Sequence, residues 1–235
     1  MTITFHAAGN RGRTKLDWLD SKHSFSFNDF YDQARMGFGA LRVLNEDVIA
    51  PGKGFGTHPH QDMEIVTIVL EGALRHEDSM GNEGVIPYDT VQRMTAGTGV
   101  RHSEMNDSKS KPVHLLQIWI EPNRKGLPPG YEQKSFAWMR NRFVPIVSFT
   151  KDQTSVYLHQ DATMHAGRLD AGFETAFTAD ADKGVYVFLI HGHVRVEDTV
   201  LSTGDAVAIT EMDHIPVTAL KNSDVLIIQV PLAQQ

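Results

Sequence analysis

The chain has 235 residues, 41% of them hydrophobic and 22% charged, and its 22 basic and 29 acidic side chains leave a net charge of -7. This is enough chain for one large β domain or two of ordinary size, and without a Lys/Arg cluster the charge argues against nucleic-acid or anionic-membrane binding. Cysteine is absent, which removes disulfides, thiolate metal sites and Cys nucleophiles and leaves nitrogen and oxygen as metal donors.

The first residues, Met1 to His6, show no basic start followed by an apolar run, and no apolar segment approaches the length of a membrane span, so a cytoplasmic location is expected. A polar turn at Gly9 to Arg13 leads to His23-Ser24-Phe25-Ser26-Phe27, whose alternation suits a half-buried strand. Phe25, Phe27 and Phe38 are expected in the core, with pocket wall as the alternative. Gly39 to Leu44 and Asp47 to Ala50 read as two short strands separated by a turn at Asn45-Glu46. Strand signals continue at Glu64 to Leu70, Ala73 to Glu77, Thr90 to Met94 and Val113 to Ile120, with turns at Glu71-Gly72 and Met80-Gly81-Asn82.

A composition break follows at Glu121 to Gly130, rich in proline and glycine, and reads as a linker. It divides the chain into 1–130 and 131–235. Phe136 to Arg142 is expected to form a short helical turn. Strands then resume at Ser155 to His159, Val185 to Ile190, Val194 to Glu197, Ala206 to Ile209 and Val225 to Val230. Many short strands with almost no helical periodicity predict an all-β sandwich or barrel. The two halves echo each other: Val66 to Leu74 and Val187 to Arg195 share a strand-turn-strand shape, as two copies of one β domain would.

The chemistry concentrates in Gly52 to Glu64 and Gly97 to Glu104. His58 and His60 are two apart, as are His102 and Glu104, so on extended backbone each pair points to one side. Two neighbouring strands can then aim three imidazoles and one carboxylate at a common point, a site for a divalent transition metal. Such a set cancels one charge of the ion and leaves an octahedral metal two open positions. Iron, nickel, copper, cobalt, manganese and zinc all accept these ligands. Glu64 shares the parity of His58 and His60, so it reads either as a pocket residue that orients a ligand imidazole or as a solvent-facing strand-end carboxylate. Gln117 and Met94 lie mid-strand and are candidate pocket residues. The glycines at 52, 54 and 56 precede a strand, not a helix, so they do not read as a phosphate cradle. His191 and His193 straddle a turn at Gly192, and His159, His165 and His214 are isolated. The second half is therefore expected to be metal-free and to pack against, or close over, the first.

Gly52 to Gly72 resembles the first cupin motif, and Gly99-x-x-His102-x-x-x-Asn106 the end of the second. More specifically, Thr57-His58-Pro59-His60, Asp78-Ser79-Met80-Gly81-Asn82, Ala96-Gly97-Thr98-Gly99 and His102-Ser103-Glu104 resemble the bacterial branch of the pirin family, as do His23 to Phe27 and Gln117-Ile118-Trp119-Ile120. Two departures from general cupins agree with pirins: the carboxylate ligand moves from the first motif (Glu64) to the second (Glu104), and Thr95-Ala96-Gly97 replaces Pro-x-Gly. The resemblance implies two tandem cupin domains, jelly-roll-like antiparallel β-barrels, with His58, His60, His102 and Glu104 holding a metal in the first barrel only.

The resemblance also implies a function. Some bacterial pirins are quercetin 2,3-dioxygenases (quercetinases), which open the central ring of a flavonol with dioxygen and release carbon monoxide. Others are iron-binding regulatory partners of transcription factors or metabolic enzymes. The open metal positions favour the dioxygenase, with iron(II) as cofactor, a flavonol and dioxygen as substrates, and Glu104, or Glu64 nearby, as general base.

Overall fold

The computed structural model describes residues 1–232. It is built almost entirely from strands, in two seven-stranded and two four-stranded antiparallel-dominated sheets. The first large sheet runs in the order Gly130–Ser135, Thr90–Thr95, Glu64–Glu71, Val113–Ile120, Leu41–Ile49, Leu19–His23, Gly12–Lys15. The first small sheet runs Gly54–His60, Val100–Asn106, Ala73–Asp78, Glu83–Pro87. Together they form one cupin barrel. The second barrel repeats the plan, with Lys183–His191 and Ser223–Pro231 at the centre of its large sheet and Glu174–Thr178, His214–Ala219, His193–Val196 and Thr199–Ser202 in its small one.

The large sheets pack against each other, and this explains their composition. Val66, Ile68, Leu116 and Ile118 from the first join Met164, Ala166, Tyr186, Phe188, Leu226 and Ile228 from the second in one apolar core. Their alternate residues point the other way, into each barrel. Strands such as Val113–Ile120 and Lys183–His191 are buried on both faces and so read as near-continuous apolar runs. The small sheets have one wet face, and Val100–Asn106 accordingly alternates between buried and more open positions. The echo between the halves is structural: both strand pairs turn at a glycine with positive φ, Gly72 at 81° and Gly192 at 104°.

Several local expectations need correction. The strand expected at His23 to Phe27 ends at His23 and starts at Leu19. The turn expected at Asn45-Glu46 is the middle of one nine-residue strand, Leu41–Ile49. Its polar centre is affordable because Glu46, on one face, accepts from Arg11 Nη1 at 2.7 Å, while Asn45 and Asp47 face the barrel interior. Phe136 to Arg142 is not helical; Phe136 and Trp138 are drawn onto the central core, and Arg168 sits over the Trp138 ring. Two strands lie across the composition break from their sheet partners. Thr2–His6 pairs with Ala206–Thr210 in the second barrel, and Gly130–Ser135 pairs with Thr90–Thr95 in the first. No helix among the described residues is long and apolar enough to cross a membrane.

Candidate metal centre

His58 and His60 lie on Gly54–His60, and His102 and Glu104 on its neighbour Val100–Asn106, with His102 directly opposite His58. A register shift between His102 and Glu104 carries Glu104 to a place opposite Phe55. The close approach of the two strands there depends on Gly54, where a Cβ would run into the Glu104 carbonyl.

The three imidazoles form a triangle, with ring centroids 4.8 Å apart for His58 and His60, 4.4 Å for His58 and His102, and 4.9 Å for His60 and His102. One nitrogen from each lies within 4.8 Å of the others. His58 Nδ1–H donates to the Gly56 carbonyl at 2.8 Å, which leaves Nε2 as the free lone pair. Burial, with His102 and His58 beside it, lowers His60 to about 4. Burial, then His58 and His76, lowers His102 to about 3. At neutral pH both rings are therefore uncharged, as ligation requires. Neither ring nitrogen of His102 has a hydrogen-bond partner although the residue is buried. An orphaned imidazole costs about 1–3 kcal/mol, and a divalent ion on one nitrogen fits the vacancy in its bonding.

Glu104 is held from the opposite sheet. Gln117 Nε2 donates to Oε1 at 3.0 Å and Oε2 at 2.9 Å, and the Thr67 hydroxyl donates to the Gln117 carbonyl oxygen at 2.9 Å. Glu104 falls outside the His58, His60, His102 group and joins a second group of potential ligands, with His102 and with His76, a residue outside the sequence motifs. His76 is fully buried, its Nε2–H donating to Asp78 Oδ2 at 3.0 Å and its ring 5.3 Å from that of His102. Burial raises Asp78, but hydrogen bonds from His76 and Asn82 outweigh it and hold the carboxyl below its ordinary value. Across from His76, Tyr131 is pushed up to about 12 by burial and by the carboxylates of Asp78 and Glu104. The parity of Leu74, His76 and Asp78 on one strand, with Leu74 in the core, was the available signal for His76.

Above the imidazoles lies a cavity of about 450 Å³, within the range of small-molecule sites, roughly 300–1,000 Å³. Its walls are aromatic: Trp18 packs edge-on to Phe55, Phe27 edge-on to Trp119, and Trp119 edge-on to His60. His58, His60, Glu104 and Gln117 open into it. Phe27 is thus pocket wall, whereas Phe25 is buried core and Phe38 packs between the barrels.

Two pocket expectations are overturned. Glu64 faces the second barrel, where its Oε2 accepts from the His159 backbone N–H at 3.2 Å. The parity argument fails because Gln61 to Met63, with Asp62 at a φ of 49°, break the strand between His60 and Glu64. Met94 points into the first barrel but packs with Ile65, Ala96 and Val100, beside Trp119 and away from the cavity lining. In the second half, His191 and His193 flank the turn, His165 packs on Phe177, and His214 is exposed. Among the described residues both potential metal clusters lie in the first barrel.

Comparison with known proteins agrees with the geometry. Residues 4–120 match the family model described as Pirin, and residues 145–230 match the Quercetinase C-terminal cupin domain. A protein of Escherichia coli named quercetin 2,3-dioxygenase is 42% identical over 229 residues, 97% of this chain and 99% of that one. The chain belongs to the pirin family. Among solved pirins, YhhW of Escherichia coli superposes with a TM-score of 0.95 at 40% identity over the full length of both chains. The same bacterial pirin in complex with nickel(II) gives 0.94 at 41% identity, covering 99% of this chain and 100% of that one. For this family member a divalent metal is therefore the implied cofactor.

Proposed function

We propose that this pirin is a metal-dependent flavonol 2,3-dioxygenase, converting a flavonol and dioxygen to the ring-opened phenolic ester and carbon monoxide. The observation that carries the reading is an aromatic-walled cavity of about 450 Å³ into which His58, His60 and the clamped carboxylate of Glu104 open, beside the His58, His60, His102 triad. The names of the Escherichia coli relatives support it. An iron-binding interaction module, the alternative, needs no such cavity beside its metal.

In this reading His58, His60, His102 and Glu104 hold iron(II). The ion supplies Lewis acidity toward the flavonol 3-hydroxyl and a redox partner for dioxygen. Trp18, Phe27, Phe55 and Trp119 sandwich the flat ring system and exclude water. Glu104 accepts the 3-hydroxyl proton, and Gln117, bonded to both of its oxygens, fixes the carboxylate's plane for that transfer. His58 is fixed in the tautomer that presents Nε2 by its bond to Gly56.

The test is an aerobic assay of iron(II)-reconstituted protein with quercetin, following loss of the flavonol absorbance band and release of carbon monoxide. Metal-dependent turnover that disappears in His58→Ala/His102→Ala is expected. Tight iron binding without turnover would move the assignment to the interaction module.

A further inference from the structure

The strand read from sequence as two pieces around a turn is the floor of the cavity, and its polar centre is unusual. Strand register places Thr67, Gln117, Asn45 and His23 in one row across four adjacent strands, each opposite the next. Directly opposite residues share a face, so the row is continuous inside the barrel. A second row beside it runs Asp47, Ser21, Thr14. All of these except Thr67 line the cavity.

Most members of the rows satisfy one another. His23 Nδ1–H donates to Asn45 Oδ1 at 2.9 Å, and the Thr14 hydroxyl donates to His23 Nε2 at 2.9 Å. Asp47 is the exception. It is 3% exposed, and its Oδ1 has no hydrogen-bond partner. Asp47 lies in the cavity wall, and a buried carboxyl oxygen there costs free energy unless a donor reaches it. The second barrel shows what a purely structural solution looks like. Opposite Val225, as Asp47 is opposite Leu115, it has Gly167, and the Phe143 ring lies against that glycine and fills the space.

We propose that Asp47 is the specificity residue of the cavity, accepting hydrogen bonds from phenolic hydroxyls on the substrate ring remote from the imidazoles. The inference rests on the flavonol reading for its substrate class. Asp47 is a diagonal cross-strand neighbour of Gln117, about 7–8 Å away along the floor. A flat ligand whose 3-hydroxyl sits at Glu104 and the imidazoles therefore extends a ring over Asp47, with Ser21 and Asn45 at its sides. The preferred substrates are flavonols hydroxylated on that ring. A site built to accept from a hydroxyl rejects an analogue lacking it, because the buried acceptor is then left unpaired.

The test compares anaerobic binding of quercetin and of unsubstituted 3-hydroxyflavone to the metal-loaded protein, read by quenching of tryptophan fluorescence. The wild type is expected to prefer quercetin by about 10–100-fold, the range that follows from leaving a buried acceptor unpaired. Asp47→Ala should bring the two affinities to within about twofold of each other, the same range having been lost. Asp47→Asn, which keeps the side-chain volume and one carbonyl acceptor, should fall between them and carries the test if the alanine variant fails to fold or to hold metal. Equal binding of the two ligands by the wild type, binding of neither, or an unchanged preference in Asp47→Asn and Asp47→Ala would overturn the assignment. A preference that follows Asp47 in a protein that turns over no flavonol would instead sink the dioxygenase reading and leave the binding role standing.

Discussion

The two barrels share one plan and differ in what fills them. Aligned on their glycine turns and sheet register, His76 of the first corresponds to Val196 of the second, Thr67 to Val187 and Gln117 to Ile227. His102 and Glu104 correspond to Ile215 and Val217, and His58 to Phe177. The second set forms one close-packed apolar interior. In the first barrel the apolar contacts are split into two groups, around Leu74 and around Met94, with the polar set and the cavity between them. A handful of inward positions thus separates a candidate reaction chamber from a packed support. The chamber is also stabilised from outside, since its large sheet is buried against the second barrel.

The sharpest way to break this comparison is to write the second barrel's residue into the first. His102→Ile should remove metal binding altogether, a loss larger than the roughly 10–100-fold that follows removal of an outer partner. The measurement is metal content after reconstitution, with melting of the metal-free protein as the control. Retention of stoichiometric metal would mean that His102 is not a ligand. In the opposite barrel, Ile227→Ala opens a cavity in a filled interior and should cost about 2–5 kcal/mol, measured by chemical unfolding. A cost below that range would mean the second interior is less tightly packed than its burial indicates.

A smaller effect is expected at Gln117. Gln117→Leu imports the apolar character of Ile227 and leaves Glu104 without its clamp, so metal affinity should fall by about 10–100-fold in a metal titration. An unchanged affinity would mean that Glu104 needs no help in holding its orientation.

What the sequence made legible follows from where function constrains the backbone. The histidine pairs could be read because strand parity is local: two residues apart means one face. The barrel plan could be read because short strands and glycine turns are also local. Three features were hidden, each for a non-local reason. Asn45 and Glu46 read as a turn because polar residues in mid-strand are tolerated only where the rest of the fold supplies a cavity or partners. Glu64 reads as a pocket residue or a solvent-facing strand end and is neither, because the strand break at Asp62 resets parity, and a positive φ on a non-glycine residue leaves little trace in sequence. His76 was passed over because its importance lies in being opposite Glu104 on another strand.

The smallest expected effect concerns acid. The unfolded-state value of each histidine is near 6.5, whereas in the folded chain His60 is lowered to about 4 and His102 to about 3. Between about 6.5 and 4 the unfolded chain binds protons that the folded chain does not, so stability rises with pH across that window and is lost as pH falls through it. Burial lowers His6 and His165 to about 4 as well, so the dependence is not confined to the first barrel. The melting temperature of the metal-free protein should therefore drop from pH 6.5 toward 4, and His60→Ala/His102→Ile should flatten the curve in part. Metal ions compete with protons for the same nitrogens, so the stabilisation given by added nickel(II) should shrink over the same window. A slope untouched by the double substitution would assign the acid lability to the other buried histidines, His6, His23 and His165, and would mean that the imidazoles of the candidate metal centre do not carry it.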